Sequence, residues 1–322
     1  MPMKKTFTAV AATLLLAPLV ALAQDYPTRP VRVVVPFTAG GPSEIIARLV
    51  GQKFTEQYRQ PMIVDLRGGG GGTIGVEIVS KAAPDGYTLL MHTIGHVIAP
   101  SLYRKLPYDV EKDFTPIAIA NTTQLMLLVH TSVPAKSVQE LIALARARPK
   151  QINFASSGSG GISHLAGNLF LTMAGIELTH VPYKGMGPAL TDVVAGQLQM
   201  VFPDPAVALP HVRAGRVNAL GVTGVKRVPS APNVPTIAEA GLPGYDVPVW
   251  YGYLAPSGTP RAIIDKVHTS IAKAISTPEL RERFTGEGGD ATVRGPQEFA
   301  ALIRTDLVKW AKVVKDAGLR ID

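Results

Sequence analysis

Three segments of this chain share one ordering of residue types: an apolar run, a loop of glycines and small hydroxyls, then a helix-forming run. The first carries Phe37, Thr38, Gly40, Gly41 and Ser43, the second Ser156, Ser157, Gly158, Ser159 and Gly160, and the third Tyr183, Lys184 and Gly185. The start of a helix presents unpaired N–H groups and a partial positive charge. Glycine lets the backbone approach a ligand without a Cβ in the way, and serine hydroxyls add donors that can turn towards an oxygen. Such a loop can cradle a carboxylate or a phosphate. A single one could simply be the tight strand-to-helix turn that any α/β fold needs. Three of them, spread over both halves of the chain, point to a cleft.

Motifs for other chemistries are incomplete. Gly70, Gly72 and Gly75 match G-x-G-x-x-G after a strand-like run, but no acidic residue closes the next strand, where residues 87–91 lead into His92. No Gly-Lys-Ser/Thr follows any glycine loop, which removes the phosphate loop of nucleotide triphosphatases. The loop around Ser157 lacks G-x-S-x-G, and His164 falls on the following helix as a capping or packing residue. His92 and His96 stand four apart with no glutamate between them and no third ligand. No pair of carboxylates is placed for acid–base work. The residues read as a binding protein without catalytic residues, cofactor or metal. A hydrolase using Ser157 or Ser159 with a histidine is the rival.

Elements must hold these loops, and the chain supplies them in alternation. Residues 31–35, 62–66, 87–91, 125–130, 152–155 and 198–202 are short, nearly continuous apolar runs of the kind found in sheets covered on both faces. Helical runs separate them; one opens with the capping box Ser137-Val138-Gln139-Glu140. Near the end, Thr259-Pro260, Thr277-Pro278 and Gly295-Pro296 each read as a cap followed by a first-turn proline, with the last helix reaching about Ala317 before Gly318. Residues 226–243, rich in Pro, Asn and Gly, read as a connector, and a crossing between halves is expected near residues 122–125. The expected organisation is an α/β fold of two doubly wound lobes with a cleft between them. Residues 24–124 plus 226–322 form one lobe, and residues 125–225 form the other.

The first residues read as an export signal. Lys4 and Lys5 precede an apolar stretch over residues 9–22, and Ala21-Leu22-Ala23 is an A-x-A cleavage signal ahead of Gln24. The mature chain is expected to start there, in the periplasm, soluble and monomeric. Cysteine is absent, which excludes disulfides, thiolate metal sites and thiol catalysis. The formal net charge is +8, two units of it from Lys4 and Lys5, and it is scattered. That pattern speaks against nucleic acid and suits a small anion weakly.

Across its whole mature length the sequence resembles the Bug-type receptors, the extracytoplasmic solute-binding subunits of tripartite tricarboxylate transporters. The resemblance is carried by Tyr26-Pro27-Thr28-Arg29-Pro30, Pro36-Phe37 with Gly40-Gly41, the loop 68–75, Asp85-Gly86-Tyr87-Thr88-Leu89 and Leu106-Pro107-Tyr108-Asp109. Further on it is carried by Ala155-Ser156-Ser157-Gly158, Ser163-His164-Leu165-Ala166-Gly167, Val181-Pro182-Tyr183-Lys184-Gly185, Pro235-Thr236-Ile237 and Trp250-Tyr251-Gly252. It implies a type II periplasmic-binding fold whose lobes close on a small carboxylate-bearing ligand (dicarboxylate, aromatic acid or amino acid) for delivery to membrane permease subunits. A receptor serving a sensor kinase would have the same cleft. The resemblance also implies roles: Phe37, Thr38, Gly40, Gly41 and Ser43 on one side, with Ser156, Ser157, Gly158 and Gly160 facing them. Tyr183, Lys184 and Asp204 belong to the far end of the ligand, where Asp204 either pairs with a ligand amine or holds the hinge. Thr38-Ala39, Glu44, Leu66 and Gln199 depart from the family pattern, so Thr38 and Leu66 are expected to alter the polarity of the far pocket.

Overall fold

The computed structural model describes residues 26–286, 288–291, 293–316, 318 and 320; the expected signal segment and Ala317 lie outside them. In chain order the elements begin β1 (Val31–Val35), α1 (Pro42–Tyr58), β2 (Met62–Leu66), α2 (Thr73–Ser80), β3 (Thr88–Thr93), α3 (Gly95–Leu102) and β4 (Phe114–Gln124). They continue with β5 (Met126–His130), α4 (Val138–Ala147), β6 (Asn153–Ser156), α5 (Ile162–Ala174), β7 (Thr179–Pro182), α6 (Met186–Val194), β8 (Met200–Val201), α7 (Pro205–Arg213) and β9 (Val217–Val222). The last elements are β10 (Pro248–Pro256), α8 (Arg261–Ile275), α9 (Pro278–Gly286) and α10 (Pro296–Asp316).

Two five-stranded sheets result, ordered β2-β1-β3-β10-β4 and β7-β6-β8-β5-β9. Within each sheet four strands run in one direction and the fourth in the order is reversed: β10 in the first, β5 in the second. Parallel neighbours need a helical crossover, which the intervening helices provide. The reversed strand of each sheet is the one that enters directly from the other sheet. β1, β3 and β10 are buried almost throughout, as their apolar runs require of strands covered on both faces.

Leu125 alone separates β4 from β5 and so carries the first crossing. Thr223, fully buried, fastens it to the return crossing. Its Oγ1 accepts from Leu125 N at 2.8 Å and donates to Val247 O at 2.9 Å, while its own N–H donates to Leu125 O at 2.9 Å. The Pro- and Gly-rich stretch before that return is not a free link. Val222 N donates to Pro235 O, Ile237 N to Val222 O, and the Tyr245 hydroxyl to Ala166 O, so residues 235–247 lie on the second sheet and α5.

Local signals are partly redirected. Ser137 caps α4 by accepting from Glu140 N at 3.1 Å, while Glu140 reaches back to Lys136 N rather than to the cap residue itself. Thr259 and Thr277 do not cap their helices. Their hydroxyls donate to Pro256 O and Ala274 O in the preceding turns, and Pro260 occupies the position before α8. Threonine hydroxyls form such local bonds in competition with capping.

Candidate functional site

The second residues of two helices, one from each lobe, line one chamber. α1 follows Gly41 and α5 follows Gly161; both glycines are extended, neither helix has a side-chain cap, and a serine stands at the second helical position of each. Ser43 and Ser163 are buried and line the same inner chamber. Uncapped helix starts leave N–H groups and their partial positive charge directed at whatever lies there. Ser157 is tied into the arrangement, its N–H donating to Ser163 Oγ at 2.8 Å and its Oγ lying 2.9 Å from the same atom. Around these donors stand the apolar Phe37, Leu125, Ile162, Met186 and Phe202. Its volume is about 40 Å³.

Among the described residues no lysine, arginine or histidine lines this chamber, and the charged ones that do are Glu44 and Asp204. Glu44 is engaged by its own loop and helix, accepting from Gly40 N at 2.8 Å and Arg48 Nε at 2.7 Å. Asp204 caps α7 through Ala206 N at 2.9 Å and accepts from the Tyr251 hydroxyl of β10 at 3.0 Å. It therefore links the two lobes beside their crossing. Burial and the neighbouring Asp204 carboxylate hold the Tyr251 phenol protonated far above its ordinary range. Thr38 Oγ1 is buried without a protein partner.

A second, larger chamber of about 310 Å³ adjoins the first, with Phe37 and Ser157 in the walls of both. Pro36, residues 69–72, Tyr103, Gly158, Ser159, Pro182, Tyr183 and Lys184 complete it. Here the lobes touch. The Tyr103 hydroxyl donates to Ser159 O at 2.7 Å and Thr38 N to Lys184 O at 3.2 Å. Gly71 sits at φ +64° with Ser159 O and the Tyr103 hydroxyl where a Cβ would be, and Gly187 packs on Ala39 and Gly40 with no room for a side chain. The glycine run that matched a dinucleotide motif is a lip of the cleft.

Of the residues singled out from sequence, Phe37, Thr38, Gly41, Ser43, Ser157 and Asp204 line the inner chamber. Phe37, Ser157, Gly158, Tyr183 and Lys184 line the outer one. Gly40, Ser156 and Gly160 line neither. Ser156 is fully buried, with its Oγ 2.6 Å from His180 Nε2 and accepting from Gly158 N. Gly160 N donates to His164 Nδ1 at 3.2 Å, so His164 holds the loop before α5. Its ring stacks on His180 with centroids 4.0 Å apart. Burial lowers the His164 pKa to about 3 and the His180 pKa to about 4.

Leu66 lines neither chamber, being packed against the core, and Gln199 is held by Asn153 N at 2.9 Å. The far-pocket role expected for Leu66 thus has no support in its position. Tyr103, Thr93, Ser163 and Tyr251 were not singled out. For Ser163 a signal existed: Gly161-Ile162-Ser163 repeats the Gly41-Pro42-Ser43 spacing.

Two α/β lobes joined by two adjacent crossings, with helix starts from both aimed into one chamber, define a two-lobed solute-binding protein. The family model described as "Tripartite tricarboxylate transporter family receptor" matches residues 46–319, and the chain belongs to that family. It is similar to Protein BugT of Bordetella pertussis, 32% identical over 301 residues, with 93% of this chain and 92% of BugT covered. Its fold is similar to that of R. palustris Rpa4515 with adipate, at 36% identity and TM-score 0.89, covering 92% of this chain and all of the other (100%). MatC from Rhodopseudomonas palustris with bound malate is 35% identical at TM-score 0.87, covering 90% of this chain and 100% of MatC.

Proposed function

We propose that this chain is a periplasmic receptor that captures a small carboxylate between its lobes and delivers it to the permease subunits of a tripartite transporter. The observation that carries the reading is that Ser43 and Ser163, at two uncapped helix starts of different lobes, line one chamber. That arrangement offers hydrogen bonds and partial positive charge to an anion from both lobes at once, so the anion is held best when the lobes meet. Adipate and malate, the ligands of the two R. palustris relatives, are carboxylates of this kind. Cleavage after Ala23, a boundary between lobes at residues 124 and 125, and a return crossing at Val247 rather than near residue 226 belong to the same proposal. The hydrogen bonding of residues 235–247 to β9 and α5 supports the last point.

The reading is non-catalytic. The Ser156–His180 pair has the separation of a nucleophile and its base, yet Ser156 is fully buried and faces neither chamber. An activated ester should therefore not be turned over. A thermal-shift panel of dicarboxylates, aromatic acids, amino acids and neutral sugars tests the function. A captured ligand at a hundredfold excess over Kd stabilises by about 2.7 kcal/mol. Shifts with acids and none with sugars are expected; the reverse pattern would end the carboxylate reading.

A further inference from the structure

Ser156 and Gly160 line neither chamber, yet each is bonded to a histidine behind the loop that does. Phe154 and Ser156 alternate onto one face of β6, and the parallel register sets His180 of β7 beside Phe154. α5 covers that face, with Gly167 against the Phe154 ring and His164 stacked on His180. His180 also stacks on Phe154, with centroids 4.8 Å apart. Packing alone would be served by any flat ring. The histidines differ from Phe154 in having ring nitrogens that face the loop. His164 Nδ1 accepts from Gly160 N, and its Nε2 lies 2.8 Å from the Asn168 side-chain amide. His180 Nε2 lies 2.6 Å from Ser156 Oγ, which itself accepts from Gly158 N at 3.2 Å. The Ser156 hydroxyl is thereby fixed between the ring and the loop.

On its other side the same loop meets the ligand chambers and the opposite lobe. Ser157 lines both chambers, and Ser159 O accepts from the Tyr103 hydroxyl across the cleft. Gly158 packs on Gly71, whose Cα lies 3.5 Å from the place a Gly158 Cβ would take. We propose that His164 and His180 are positioning residues for solute capture. Through Gly160 N and through Ser156 they hold the 157–160 loop at the height at which it meets both the ligand and the other lobe. A loop fixed before the ligand arrives loses less conformational entropy on binding. The proposal rests on the capture reading above and deepens it by naming what the recognition loop stands on. It also gives Ser156 and Gly160 a part in binding that neither plays by contact.

The test separates each ring from its nitrogen. His164→Phe and His180→Phe keep a stacked ring and lose the polar atom; His164→Asn and His180→Gln keep a polar atom and lose the stack. Two readouts are compared across the set: exchange of the Gly158 and Gly160 amide protons by NMR without ligand, and titration calorimetry with adipate. His180→Phe should speed exchange at Gly158 by about fivefold or more, the scale of one neutral hydrogen bond, and weaken adipate by a similar factor. His164→Phe should do the same through Gly160. The Asn and Gln variants should restore both readouts even where their melting points are lower. Ser156→Ala, which changes little volume, should match the His180→Phe loss, and combining the two should weaken adipate no further. Phenylalanine variants with wild-type exchange and affinity, or losses that follow melting point alone across the set, overturn the proposal and leave the carboxylate reading standing. A wild type that binds no acid ends the carboxylate reading instead, and amide exchange then decides by itself whether the histidines hold the loop.

Discussion

Ser43 and Ser163 occupy the same position in opposite lobes, each the second residue of a helix that follows an extended, uncapped glycine, and both line one chamber. The two α/β lobes carry the same device and present it to one chamber. The lining of that chamber has no lysine or arginine among the described residues, and in the proposed reading its uncharged donors hold the anion.

Ser43→Ala and Ser163→Ala should each weaken binding of a carboxylate by about tenfold or more, since a hydrogen bond to a charged group contributes about 1.5–3 kcal/mol. Ser163→Ala should cost more than Ser43→Ala, because Ser163 also fixes Ser157 through its N–H at 2.8 Å. Calorimetry on the two variants gives the order, and equal small losses would count against the shared device.

Closure depends on what is missing at Gly71. A leucine there would have to occupy the place of Ser159 O and the Tyr103 hydroxyl, which only meet when the lobes are together. Gly71→Leu should fold, hold the lobes apart and show a larger radius of gyration by X-ray scattering with saturating acid than the wild type does. Unchanged scattering and affinity would remove Gly71 from the seam.

Thr223 should govern stability more than recognition. Thr223→Val removes the partner of Leu125 N and of Val247 O in a buried place, at about 1–3 kcal/mol for a group left unsatisfied. A fall in the unfolding midpoint with carboxylate affinity little altered once folded is expected.

Acid should unfold the protein through its buried histidines. In the folded chain His164 titrates at about 3 and His180 at about 4, while the unfolded side chains titrate near the ordinary 6.5. Between those values the unfolded chain binds more protons, so stability falls as pH drops from about 6.5 towards 4. His92 and His96 act in the same direction, burial lowering both. His164→Gln combined with His180→Gln should flatten the profile in that window, as read by thermal midpoints at stepped pH.

Strands β1, β2, β3, β5, β6 and β8 and the three glycine loops were legible because their signals are local: apolar runs of four to six residues, and glycines placed between a strand and a helix. β4, β9 and β10 were not read as strands. The contacts that make a cleft were not. Tyr103 reaches Ser159 and Tyr251 reaches Asp204 over separations of 56 and 47 residues, and nothing local at either tyrosine announces the partner. Thr223 likewise joins crossings 98 residues back and 24 residues on. Leu66 was singled out by departure from a family pattern, which marks a difference in sequence without saying which way the side chain packs. Thr259 and Thr277 failed as caps because each hydroxyl finds a carbonyl in the turn behind it.

The most direct measurement is titration calorimetry of the wild type with adipate and with its diamide, which keeps the length and shape and removes the charge. Donor groups from both lobes at Ser43 and Ser163 should bind adipate and leave the diamide without measurable heat. Equal affinity for the two would contradict capture by carboxylate recognition.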